Sequence, residues 1–157
     1  MKHRIINLLA LVAGYHFNGL ARLANIAAGT HEDSVTKLAD AALTTRNLVV
    51  KVGSDEDHVA VCGASDDPCG ICTDEPSAAE REANVAFLGA TNKSRLVVGS
   101  EVIAVGARAY TAASGKVQNL PAVAGTYYCI GRAVLACAAD GDEFEIEPCF
   151  PLAVIVT

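Results

Sequence analysis

At 157 residues, 52% hydrophobic and 19% charged, the chain reads as one globular domain, or one domain with an arm, and not as a disordered polymer. A chain of this size withdraws roughly 70% of its unfolded surface from water, so a core can form without disulfide or metal staples. A net charge of −6 with scattered basic residues lacks the basic face that neutralises phosphates, so no nucleic-acid partner is expected. Aromatic residues are only 5% and Trp is absent, which leaves small and β-branched side chains to build the core.

The first segment, Lys2-His3-Arg4 followed by Ile5, Ile6, Leu8, Leu9, Leu11 and Val12, has the charged start and short apolar run of a signal peptide. Asn7 interrupts that run and no clean small-x-small cleavage site follows, so an arm that packs on another surface is the expectation. The run is too short to span a bilayer, and no membrane partner is expected. Leu20, Leu23 and Ala27 fall at helical spacing, which predicts a short amphipathic helix ending near Gly29. Next, either Asp33 or Ser34 caps a helix running through Leu43, or Val35-Thr36-Lys37-Leu38 is a strand; both readings stay open. Residues 1–44 are taken as an N-terminal arm, helical or extended, and residues 45–157 as a β-rich body.

In the body, Leu48–Val52 is a β-branched run closed by Gly53-Ser54-Asp55, and His58–Cys62 is a second run closed by a turn cluster ending at Pro68. Strands are predicted around 70–74, 84–88, 95–98, 107–111, 126–137, 143–147 and 152–156. Turn signals at Ser114-Gly115 and Ala139-Asp140-Gly141-Asp142, and prolines at 76, 121, 148 and 151, separate them. Many short strands with regular turns define a mainly β fold, a small β-barrel or a sandwich. A weak internal echo links Cys69-Gly70-Ile71-Cys72 with Cys129-Ile130-Gly131-Arg132: each is a strand carrying a glycine, then an Ala- and acid-rich turn and a returning strand. Such a glycine permits a bulge or a close backbone approach.

Chemical motifs are sparse. The pair Cys69 and Cys72 flanks Gly70 in a predicted strand and not at a helix N-terminus, where a redox thiol is usually activated. Zinc would need a second ligand pair; His58 and Cys62 are the nearest candidates, and no second C-x-x-C exists. The six cysteines are read mainly as reduced thiols, buried or on the surface. Asp55-Glu56-Asp57, Asp66-Asp67 and Asp140-Gly141-Asp142 lack the spacing of a calcium loop and read as solvated turns. The four histidines are dispersed, and neither a Gly-x-Ser-x-Gly elbow nor a phosphate-cradling glycine loop is present. No catalytic residue, cofactor or metal is expected.

One resemblance is carried by an ordered set of strand-and-turn motifs over roughly residues 45–157. The stretch Gly99-Ser100-Glu101-Val102-Ile103-Ala104-Val105-Gly106 leads into Ala107-Arg108-Ala109-Tyr110-Thr111, a strand ending in an aromatic, and then into Ala112-Ala113-Ser114-Gly115-Lys116-Val117. Gly125-Thr126-Tyr127-Tyr128-Cys129-Ile130-Gly131-Arg132-Ala133-Val134 followed by Ala138-Ala139-Asp140-Gly141-Asp142 looks like a closing hairpin, with an earlier counterpart at Asp67–Pro76. The set resembles the head decoration and cement proteins of tailed bacteriophages. That resemblance implies a small β-barrel of the lambda type (the β-tulip) and no catalysis. It implies a homotrimer bound to the major capsid protein on the outside of the virion after synthesis in the host cytoplasm. Leu8, Leu9, Leu11, Val12 and Leu20 are the expected capsid or subunit contacts of the arm. The alternative reading is a secreted β-sandwich that contains disulfides and binds a partner.

Overall fold

The computed structural model describes residues 34–90 and 93–157. The described residues form ten strands: β1 (Ser34–Ala39), β2 (Leu48–Val52), β3 (His58–Val61), β4 (Gly70–Cys72), β5 (Glu82–Phe87), β6 (Arg95–Val98), β7 (Arg108–Thr111), β8 (Val117–Gln118), β9 (Gly125–Ala133) and β10 (Glu143–Val156). The first five close into a barrel in the order β1-β3-β2-β4-β5; the second five form a sheet in the order β6-β10-β9-β7-β8. The mainly β expectation and the small barrel are therefore met.

Residues 35–38 resolve to a strand. β1 pairs antiparallel with β5 (Ser34↔Ala86 through Leu38↔Glu82) and parallel with β3, and this closes the barrel. Residues 34–39 thus belong to the barrel, although the sequence groups them with the arm. The local pattern could not decide this, because Val35 and Leu38 stand at helical spacing while Val35 and Thr36 are β-branched strand formers, and only the β5 partner fixes the strand. The helix predicted around Leu20 lies outside the described residues.

Small side chains fill the barrel: Ala39, Val50, Val59, Cys72, Ala83 and Val85 are buried in one cluster. A second and larger cluster joins the barrel to the sheet, uniting Val49 and Ile71 with Val97, Ile130, Phe144 and Ile146. β4 and the first three residues of β2 are consequently buried on both faces. Leu48 and Val50 face the barrel cluster while Val49 faces the sheet, which is why this strand reads as a continuous apolar run and not as an alternation. Burying each such Val, Ile or Phe side chain contributes about 1.5–3 kcal/mol.

Polar ties reinforce the junction. The Thr111 hydroxyl, fully buried, donates to the Ala64 carbonyl at 2.6 Å and accepts the Tyr128 backbone N–H at 3.1 Å. Asn47 donates its side-chain amide to Glu143 Oε1 at 3.0 Å, and Arg46 Nε reaches the same oxygen at 3.2 Å. The β7–β8 hairpin turns at Ala113–Lys116 with Ser114 (φ 60) and Gly115 (φ 71) both positive, the primed geometry that matches strand twist. Its tip rests on the barrel, where the Gly115 N–H donates to the Cys62 carbonyl at 2.7 Å.

Candidate docking surface

Sequence turn signals split 143–147 from 152–156, but β10 is one strand of 14 residues that runs through Pro148 and Pro151. The reason is position. Pairing of β10 with β6 stops at Ile146↔Arg95, while pairing with β9 continues to Val156↔Gly125 after a register shift between Pro148 and Leu152. Beyond Ile146 one edge of β10 pairs with no strand among the described residues. Proline, which has no N–H, is tolerated on such an edge or in a bulge. The two echo glycines both serve close approach. A Cβ on Gly131 would stand 2.4 Å from the Glu147 carbonyl oxygen, and one on Gly70 would stand 2.4 Å from Val85 Cγ1. Each glycine lies in the first strand of an antiparallel pair, β9 with β10 and β4 with β5.

At the bulge and beyond it, apolar side chains stand in solvent. Phe150 is 78% exposed, Leu152 58% and Ile155 74%, and Val123 is also exposed just before β9. Residues 152–156, Leu-Ala-Val-Ile-Val, carry no charge or proline, although most natural edge strands are blunted with one or the other. On one face of the ribbon, Tyr110, Tyr127 and Cys129 form a small buried cluster with Val154 and Val156, and Tyr127 donates its hydroxyl to the Val123 carbonyl at 3.2 Å. Leu152 alternates onto that same face, whereas Ile155 projects from the opposite one.

Phe150 and Pro151 stand between two grooves and line both. One, of about 580 Å3, lies against Phe87 and Gly89 of the barrel end and includes Tyr128 and Ala153. The other, of about 620 Å3, lies on the outer face of the sheet and includes Arg108, Arg132, Glu147, Cys149 and Leu152. Arg108 stands opposite Arg132 across β7–β9, and Arg132 stands opposite Glu147 across β9–β10. Facing residues on antiparallel strands hold their Cβ atoms about 4.5–5.5 Å apart, where like charges repel. Both arginines are exposed, and neither makes an ion pair or hydrogen bond among the described residues.

The titratable groups elsewhere have structural partners. The His58 ring lies between Asp55 Oδ1 (2.6 Å from Nδ1) and Glu80 (3.2 Å from Nε2), which fastens the β2–β3 turn to the β4–β5 loop. Its hydrogen bonds to Asp55 and then Glu80 raise its pKa, and the bond to His58 lowers that of Asp55. Asp66 accepts from Lys51 Nζ at 2.8 Å and from the Gly63 N–H at 2.8 Å, and the Lys51 hydrogen bond holds its carboxyl low. Lys116 pairs with Asp140 at 2.7 Å. The acidic turns therefore act as ties between loops.

All six cysteines are free thiols: Cys62, Cys72, Cys129 and Cys137 are buried, Cys69 is partly buried and Cys149 is exposed. Burial pushes the Cys62 and Cys72 thiols up to about 12, far from an activated nucleophile. Cys72 Sγ donates to Asp74 Oδ1 at 3.1 Å, while Cys62 Sγ donates to the carbonyls of Gly63 and Asp66. Among the described residues no group of three or more His, Cys, Asp or Glu converges as a metal site, and no helix is long and apolar enough to cross a membrane.

The arm residues Leu8, Leu9, Leu11, Val12 and Leu20 lie outside the described residues. Sequence reasoning missed Phe150, Leu152, Arg108 and Arg132. A signal was present in Pro148-Cys149-Phe150-Pro151, because two prolines inside a strand pattern mark an edge or bulge that re-aims the side chains between them. No protein-family model matches the chain, and no curated protein is significantly similar to it. Fold and surface together define a β protein with exposed apolar side chains and two grooves at one end of the β9–β10 ribbon.

Proposed function

We propose that this chain is a capsid cement or decoration protein. It binds the outer surface of a tailed-phage shell and braces the lattice of the major capsid protein. It acts by adhesion, as a homotrimer, without catalysis or a cofactor. The observation that carries the reading is the apolar end of the β9–β10 ribbon: Phe150, Leu152, Ile155 and Val123 project from a sheet locked to a closed barrel. Contiguous exposed apolar surface marks interaction sites, and Phe150, Pro151 and Leu152 line one groove together. Held on a rigid sheet, they lose little conformational freedom when covered. The strand-and-turn resemblance set out above supplies the partner. A trimer that touches several shell subunits at once adds modest contacts through effective concentration. The arm, through Leu8, Leu9, Leu11, Val12 and Leu20, extends the area toward the roughly 1,000 Å2 that stable association needs.

The test is co-assembly with the major capsid protein of the same genome. The chain is expected to sediment with assembled shells, to saturate at a fixed stoichiometry, to raise the temperature at which shells rupture, and to give a trimer mass by light scattering. Deleting residues 1–28 lowers occupancy if the arm is an anchor. A chain that stays in the supernatant at every ratio ends the reading.

A further inference from the structure

Two arginines directly opposite each other, neither hydrogen-bonded nor ion-paired among the described residues, are an unusual feature in a chain of net charge −6. Each leaves a guanidinium with several unused donors in the outer groove, beside the apolar surfaces of Phe150 and Leu152. Glu147 faces Arg132 from β10 without bonding to it, so the row Arg108–Arg132–Glu147 retains one net positive charge at the groove floor. Arginine and large aromatics in a preformed recess are the residue types that dominate binding energy in protein interfaces. A carboxylate entering between the two guanidiniums relieves their repulsion and gains charge-assisted, bidentate hydrogen bonds.

We infer that the outer groove is the docking site for a carboxylate-bearing apolar segment of the partner protein: acidic side chains seat on Arg108 and Arg132, and the neighbouring apolar residues cover Phe150 and Leu152. This rests on the reading above, in which the partner is the shell subunit, and it adds the chemistry of the contact. Duplex nucleic acid fits less well, because two cations beside a glutamate cannot track a phosphate backbone and the groove walls are apolar.

The experiment measures binding of the full chain to shells of the co-assembled major capsid protein at low and high salt. R108S/R132S is expected to weaken binding about tenfold at low ionic strength. R108K/R132K, which keeps the charge, restores part of the loss. E147Q, which removes the competing carboxylate, tightens binding about threefold, the size of one cross-strand charge pair. High salt brings the wild type toward R108S/R132S. Wild-type chain that binds no shell overturns both readings. Wild-type chain that binds while R108S/R132S binds within twofold of it, or while salt has no effect, overturns the acidic-segment inference alone. Displacement of the chain from shells by short duplex DNA, lost in R108S/R132S, also overturns it, since the seated anion is then phosphate. The arginines are exposed, so the variants are expected to fold; the wild-type salt response is decisive if one does not.

Discussion

Replacing Thr111 with valine isolates one of the hydrogen-bonded ties between the barrel and the sheet. Valine keeps the shape and removes only the hydroxyl. The change strands two groups at once: the Ala64 carbonyl loses its donor at 2.6 Å, and the Tyr128 N–H loses its acceptor at 3.1 Å. A buried polar group left unsatisfied costs about 1–3 kcal/mol, and the new methyl returns about 0.8 kcal/mol. The net loss is about 1–5 kcal/mol, a large share of the 5–15 kcal/mol typical of a domain. It corresponds to a fall of about 3–20 °C in Tm at roughly 2–4 °C per kcal/mol. Thr111→Ser keeps both hydrogen bonds and loses only a methyl, about 1 kcal/mol. Urea unfolding and thermal melts of the three proteins read the difference. If Thr111→Val melts within about 2 °C of the wild type while Thr111→Ser is the less stable, the hydroxyl does not bridge the two layers and the argument is wrong.

Four further outcomes follow from the same geometry. The pKa of His58 is raised above its ordinary 6.5, so its contribution is fully present below that value and fades as pH rises through the folded pKa. The pKa of Asp55 is lowered below its ordinary 3.8, so its contribution is present above that value and fades as pH falls through the folded pKa; wild type minus His58→Gln in Tm should therefore peak near pH 5 and shrink above neutrality, and a flat difference refutes the tie. Alkylation of the native protein with iodoacetamide should modify Cys149 first and leave Cys62 and Cys72 untouched until the chain is unfolded, as read by peptide mass spectrometry. Gly131→Ala forces a Cβ against the Glu147 carbonyl and should destabilise the fold by about 1–3 kcal/mol, whereas an unchanged urea midpoint would show that the two strands can separate freely. Phe150→Ser removes an exposed ring, so Tm should hold within about 2 °C while shell occupancy falls.

Much of the body was legible because its strands announce themselves locally. Leu48–Val52 and Arg95–Val98 were placed to the residue, since β-branched runs end at Gly53 and Gly99. The short β8 was hidden inside a turn signal, and a strand of two residues is too short to show a period. The division of 143–156 into two strands followed from reading prolines as breakers, which holds only where both edges of a strand are paired. Arg108 and Arg132 were invisible as a pair, because 23 positions of chain separate residues that the β7–β9 register brings face to face.

What the sequence alone determined is the material of the fold: a β chain with a small-residue core, an acidic balance, buried thiols and hairpin turns at Ser114-Gly115 and Asp140-Gly141. Those properties are written in side-chain type and in period along a few neighbouring residues. Closure of the barrel by β1, the joining of barrel to sheet at Val49 and Thr111, and the exposed ridge at Phe150 beside two facing arginines were decided only in three dimensions. Each depends on which distant strand lies alongside, and strand pairing is fixed by the burial of whole faces, which no local window contains.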